Sequence, residues 1–392
     1  MAENKDIFFE NFLFRFDNFG CDCVEDVIHT VPGEQPNIKL KLQALPEKKI
    51  TFAFAAKKGL VKIAPNGSIE DDNIFGTLTS LPYKSDKVFK QFMRANGFIF
   101  PVGTSSYEEF DKQEILSIID RLRITVELMT AANEIKKDYS KIFILMVQLF
   151  FAKDIHIKTE QISSDYKSYH NDFSDTIMNP TVTLSYEREQ EKFSSDTYKI
   201  KDSICGSFNF NINDYDNILG GYSQVPGYNE PLVKNVVALY VNYEGSELER
   251  KIIDVMFHFF YEVGIINTNQ GLTYYAPPRI DMMSQALKNG LIEVANYIVG
   301  EEINANLKGI QPIYDSKNMM PTWKVDSLLC AAYFSIFYLK PELELYRQCA
   351  NPRCGRYFLV KTTSTRKKFC SVECCNRVTQ DRYRKNIRSK TE

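Results

Sequence analysis

No apolar run in this 392-residue chain reaches the ~20 residues needed to cross a bilayer. The longest, Ile142 to Ala152 and Leu328 to Leu339, have the length of buried helices, so no membrane span is expected. The opening Met-Ala-Glu-Asn-Lys-Asp lacks the basic stretch and apolar core of a secretory signal. Histidine is scarce: there are four (His29, His156, His170, His258), and none stands at metal-ligand spacing from another. His258 lies in the middle of an aromatic helical stretch, where a hydrogen-bonded structural role outweighs a catalytic one. There is no Gly-x-Ser-x-Gly elbow, and Gly220-Gly221 lacks the strand-loop-helix setting of a phosphate cradle. With no catalytic constellation in view, the chain is not expected to be an enzyme. Internal repeats and low-complexity tracts are also absent. Of nine cysteines, Cys21, Cys23, Cys205 and Cys330 are scattered without the spacing of a disulfide framework. Together these absences predict a cytoplasmic protein with reduced thiols.

What is present supports a globular protein, since 44% hydrophobic and 13% aromatic residues suffice for a core, and the length allows two or three domains. The fold class expected is α+β. Ile38, Leu40 and Leu42 alternate with polar residues, as do Ile50, Phe52 and Phe54 before the Asn66-Gly67 turn, which makes the first ~110 residues β-rich. From Gln113 the period becomes helical, with Ile115, Ile118, Ile119, Leu122, Val126 and Met129 on one face. A second helix is expected over Lys141 to Ala152. Residues 156 to 230 are polar and read as strands and loops. Helical stripes return at Leu248 to Val263, at Leu287 to Ile298, and over about Lys324 to Tyr338, where Pro341 follows. Residues 111 to 345 are therefore expected to be mainly helical, and the whole of 1–345 to form an α+β body that senses a ligand or mediates assembly.

The net charge of -2 conceals an asymmetry. Residues 346–392 carry thirteen Lys or Arg against Glu373, Asp381 and Glu392, a net of +10, so residues 1–345 sum to -12. Five cysteines fall in the same segment. Four residues separate Cys349 from Cys354, fifteen follow, and three separate Cys370 from Cys374, a spacing that suits one tetrahedral, structural zinc. A segment this small cannot order itself by apolar burial, and zinc supplies on the order of 10 kcal/mol in comparable peptides. Pro352 and Gly355 permit a tight turn between the first two ligands. Arg356 to Val360 and Arg366 to Phe369 are expected to pair as a hairpin around Thr362 to Thr365. Ser371 is placed to cap a helix with Cys374 in its first turn. Cys375 is the alternative fourth ligand, but consecutive helical residues point about 100° apart, so only one of the two faces the metal. The result is a small treble-clef-like finger.

The helix continues through Arg377, Asp381, Arg384 and Arg388 on one face, with Arg382 and Lys385 beside it. Arg366, Lys367 and Lys368 add charge from the preceding loop. A basic face often does no more than keep a segment soluble, yet this excess is fixed on a metal-folded unit and suits phosphate and guanine contacts.

These residues resemble the CGNR zinc finger found at the C-terminus of bacterial transcription regulators: Cys349-x4-Cys354, an aromatic pair after Cys-Gly-Arg, a basic loop, then Cys370-Ser-x-x-Cys374-x-Asn376-Arg377 and an Arg-rich helix. The resemblance is firm over residues 349–386. It implies that Cys349, Cys354, Cys370 and Cys374 are the zinc ligands and that the finger contacts DNA; the glycine of the family's name is Cys375 here. The function expected is zinc-dependent binding of duplex DNA by a bacterial transcription regulator. Arg377, Arg382, Arg384, Lys385 and Arg388 would make the helix contacts, and Arg366, Lys367 and Lys368 would hold phosphates. The alternatives are RNA binding, or a protein-interaction module whose basic finger docks on an acidic partner.

Overall fold

The computed structural model describes residues 12–28, 37–55, 58–71, 73–152, 155–159, 163–166, 177, 198–199, 203–205, 209–210, 231–242, 245–268, 271–316, 319–340, 344–361, 363–364 and 366–391. Strands and helices both occur, as the α+β expectation requires, and the chain divides into two units. One comprises residues 1–130, 154–167 and 302–392; the other comprises 131–153 and 168–301.

The first unit is built on an antiparallel sheet in the order β1 (Phe12–Ile28), β2 (Asn37–Ala55), β3 (Gly59–Ile63) and β4 (Ile69–Asp71), with β5 (Glu108–Asp111) also paired to β2. Period-two alternation sends Phe14, Phe16, Leu40, Leu42, Ile50, Phe52 and Phe54 into the core. Phe16 and Phe52 are direct cross-strand partners whose rings stack at 5.2 Å. A proline in so long a strand needs an interruption of the ladder. The register supplies one, because Phe19 faces Lys49 while Gly20 faces Leu45, so Pro46 to Lys48 bulge out unpaired.

Helices α1 (Ile74–Ser80) and α2 (Asp86–Asn96) lie within the stretch expected to be β-rich. Helix α3 (Lys112–Asn133) buries all six apolar residues that the period assigned to its face. Inside this unit Arg121 is paired bidentately with Glu302, which is fully buried. A hairpin of β12 (Ile310–Asp315) and β13 (Met320–Val325) precedes α8 (Leu328–Phe337). The helix expected from Lys324 thus starts at Leu328, capped by the Ser327 hydroxyl, which accepts from the Cys330 amide at 3.1 Å.

The second unit contains α4 (Tyr139–Phe150), α5 (Pro231–Asn242), α6 (Glu247–Glu262) and most of α7 (Gln285–Ala305). Ser246 and Glu249 form a capping box at the start of α6. Phe143 and Phe259 stack at 3.6 Å in its core. Most of residues 156–230, expected as strands and loops, lie outside the described residues. The fragments described there include β6 (Ile155–Lys158), paired with β7 (Ser163–Tyr166), and β8 (Tyr198–Lys199), paired with β9 (Asn209–Phe210); β10 (Ile266–Asn267) pairs with β11 (Thr273–Tyr274).

Candidate metal centre

Two strands in the first unit bracket the first pair of cysteines: β14 (Glu344–Gln348) and β15 (Tyr357–Lys361) pair antiparallel. This corrects the hairpin expected between 356–360 and 366–369. The strand that completes the ladder lies before Cys349, and residues 366–370 are not a strand. They are tied to the hairpin differently: the Ala350 amide donates to the Lys368 carbonyl at 2.9 Å, and the Arg347 guanidinium donates to the carbonyls of Ser364 (2.6 Å) and Lys367 (3.1 Å).

The tight turn between the strands is closed by two amides. Cys349 donates to the Arg356 carbonyl and Cys354 to the Asn351 carbonyl, both at 2.9 Å. Gly355 follows at φ +67°, a left-handed conformation that an L side chain would strain. Helix α9 (Val372–Thr391) begins next to this loop. Ser371 caps it as expected, its hydroxyl accepting from the Cys374 amide at 3.3 Å.

The turn and the helix bring the sulfurs of Cys349, Cys354, Cys370 and Cys374 within 4.8 Å of one another. Cys354–Cys370 and Cys370–Cys374 are each 3.6 Å apart. Four sulfurs about 2.3 Å from one zinc would be separated by about 3.8 Å, so the cluster fits a tetrahedral ion. Cys375 is not part of it, as the 100° offset along the helix requires. Four protein ligands leave no open coordination position, which makes this a structural site for one zinc rather than a hydrolytic one. Phe358 and Val360 pack against the cysteines, with Phe369 beside them, so the site is shielded on its hairpin side.

The thiols differ in acidity. Burial pushes Cys354 up, and burial together with the neighbouring thiols pushes Cys370 up further. Burial also opposes ionisation of Cys374, but hydrogen bonds from Asn351 and from the adjacent thiols outweigh it and bring that thiol to about 7. Asn351, 4% exposed, also accepts from the Arg353 amide at 3.1 Å. Its part in the site was missed from sequence, although its place inside the Cys-x4-Cys turn was a usable signal.

The hairpin is buried on both faces. Register places Arg347, Phe358 and Val360 on the side that meets the cysteines, and Tyr346 and Tyr357 on the other. Tyr346 stacks on Phe75 of α1 at 4.3 Å, and its carbonyl accepts from the Thr130 hydroxyl at 2.9 Å. The Tyr357 hydroxyl donates to Glu127 of α3. Gly76 of α1 lies against the Tyr357 carbonyl so closely that a Cβ there would sit 1.9 Å from the oxygen.

Of the basic residues expected to meet nucleic acid, Lys367 also holds its ammonium 5.5 Å over the Phe358 ring. Arg366, Lys367, Lys368, Arg377, Arg382 and Arg384 are all exposed. Lys385 and Arg388 lie on α9, but their side chains are outside those described. Asp381 is 3.6 Å from Arg353, an exposed pair worth little energetically.

His258, in the second unit, is buried in α6. Its ring hydrogen-bonds to Tyr240 (3.1 Å) and lies 3.4 Å from Asp254 and 3.5 Å from Glu262. These carboxylates already accept other bonds: Asp254 from the Ser203 hydroxyl (2.8 Å) and Ile204 amide (2.9 Å), Glu262 from the Ser284 amide (2.8 Å). The network thus pins residues 203–205 to the helix.

Against known proteins, residues 346–386 match the family model of the CGNR zinc finger, in agreement with the motif and the sulfur geometry. No curated protein and no solved structure matches the chain. Among the described residues no helix is long and apolar enough to cross a membrane.

Proposed function

We propose that the chain is a zinc-dependent DNA-binding protein of the transcription-regulator kind, with the C-terminal finger as its DNA contact and residues 1–345 serving ligand sensing or assembly. The observation that carries this reading is the mounting of α9. Cys374, in its first turn, belongs to the sulfur cluster, so the metal holds a 20-residue helix whose described arginines all face solvent. Such a helix is about 30 Å long and of a width the major groove admits. The exposed Arg366, Lys367 and Lys368 lie on the loop entering it, where they suit the flanking phosphates. With no catalytic constellation argued from the sequence, the role proposed is binding, not turnover.

The test uses the full zinc-loaded chain and a labelled duplex in fluorescence anisotropy. About five phosphate contacts predict a fall in affinity of several hundred-fold between 50 and 200 mM salt. The double variant Arg377→Glu, Arg384→Glu should weaken binding at least tenfold, about 1.4 kcal/mol. Zinc-loaded protein without affinity for duplex at 50 mM salt, or charge reversal without effect, refutes the reading. Preference for single-stranded RNA or for an acidic protein in the same assay assigns the finger to one of those partners instead.

A further inference from the structure

The metal site has a contact from far outside the finger. Lys84 lies between the short 3-10 turn Leu81–Tyr83 and the start of α2, in extended conformation, with its amide donating to the Leu81 carbonyl at 3.0 Å. Its backbone is therefore tied at the amide to the preceding turn. Its half-buried side chain runs to the cysteine turn, where the ammonium donates to the carbonyls of Arg353 (2.9 Å) and Cys354 (2.5 Å). The second of these belongs to a ligand residue 270 positions later in the chain.

Two physical consequences follow. A turn carrying two ligands must hold both sulfurs in one tetrahedron, and a cation gripping two successive carbonyls removes freedom from its far end. Gly355, the residue least able to hold its own conformation, is thereby pinned from the preceding peptide. Zinc with four thiolates also carries a net charge of about -2, and an ammonium ion at the ligand turn lowers the cost of gathering that charge in a buried place. Within the turn itself the Asn351 side chain and the amides of Cys349 and Cys354 make bonds that reach Arg353, Cys354 and Arg356. Lys84 adds a grip on the Arg353 and Cys354 carbonyls, which those bonds do not use.

We propose that Lys84 is a positioning residue of the zinc centre, setting the Cys354 turn in ligating geometry from the N-terminal part of the chain. This goes beyond nucleic-acid binding and does not depend on it.

The experiment is a competition for zinc between the full-length protein and the chromogenic chelator 4-(2-pyridylazo)resorcinol, without nucleic acid, for wild type, Lys84→Met, Lys84→Arg and Lys87→Met. Partners that orient metal ligands are worth 10–100-fold in affinity, so Lys84→Met should bind zinc roughly tenfold more weakly and release it faster. Lys84→Arg keeps the charge and the donors and should stay close to wild type, as should the neighbouring exposed Lys87→Met. A purely structural lysine would lower the melting temperature of the zinc-free and zinc-loaded protein alike and leave the zinc affinity unchanged. That outcome, with circular dichroism showing native secondary structure, overturns the proposal. If Lys84→Met does not fold, Lys84→Ser, which stays polar but is too short to reach the two carbonyls, decides it. Weaker zinc binding by that variant supports the assignment, and wild-type affinity refutes it.

Discussion

Replacing Gly76 by alanine tests the join between the hairpin and α1. Gly76 is a buried helical position, and on propensity alone alanine should stabilise the helix by about 1 kcal/mol. The added Cβ, however, would stand 1.9 Å from the Tyr357 carbonyl oxygen and 2.4 Å from the Asn73 side-chain oxygen that caps α1. To reach even 3.0 Å, the strand and helix must separate by a further 1.1 Å. Overpacking of this kind costs typically 1–3 kcal/mol, and here it meets backbone that cannot rotate aside, so the upper end applies. The net loss expected is about 2 kcal/mol, which for a unit of this size lowers the melting temperature by roughly 4–8 °C. Because Tyr357 is adjacent in sequence to Phe358, which packs on the cysteines, the displacement should also speed zinc release. Gly300 is the control: its Cβ would meet nothing within 4 Å, so Gly300→Ala should be neutral or slightly stabilising. Differential scanning calorimetry of the two variants, with zinc transfer to a chelator, reads both effects. If Gly76→Ala melts like wild type, the close packing of α1 on β15 is not as described.

The remaining expectations concern the metal. Cys354 and Cys370 have thiols raised above their ordinary value by burial, so zinc must displace their protons, whereas Cys374, at about 7, is already half ionised near neutrality. Affinity should therefore rise with pH, by more than roughly tenfold per unit between pH 6 and 8 because at least two protons leave, and zinc should be lost on acidification; a flat profile in chelator competition contradicts this. Cys374→Ser should abolish stoichiometric zinc while Cys375→Ser retains one ion per chain, as metal analysis of purified protein will report; the reverse result exchanges the ligand assignment.

Much of the site was legible because its constraints are local. Cysteine spacing within each pair and the Ser371 cap depend on residues within one or two turns, and the sulfur cluster unites the four cysteines named from spacing. The apolar period of α3 was equally readable, since a helix buries one face whatever it packs against. What failed was pairing across the ligand turn. Leu345 and Tyr346 look like an approach to the finger, and nothing near them states that they zip to Val360 and Leu359. The seats of Tyr346 and Tyr357 on α1 and α3, and the reach of Lys84, depend on contacts over 200 residues or more and have no local signature. Helix α1, at seven residues, is too short to state a period of its own, whereas α2 places Phe89, Phe92, Met93 and Asn96 on one buried face at helical spacing, a signal that the sequence does carry.

The discontinuity of the first unit bears on how the protein is made. Its sheet and α1 to α3 are translated early, but the hairpin that covers them is translated only after the 131–153 and 168–301 segments. At about 5–20 residues per second, the seats on Phe75, Gly76 and Glu127 stay uncovered for roughly 10–50 s of synthesis. Metal capture is later still, because Cys374 must clear the ribosome before the fourth sulfur is available. The nascent chain thus presents an apolar surface until the hairpin has emerged, and chaperone occupancy should last at least that long.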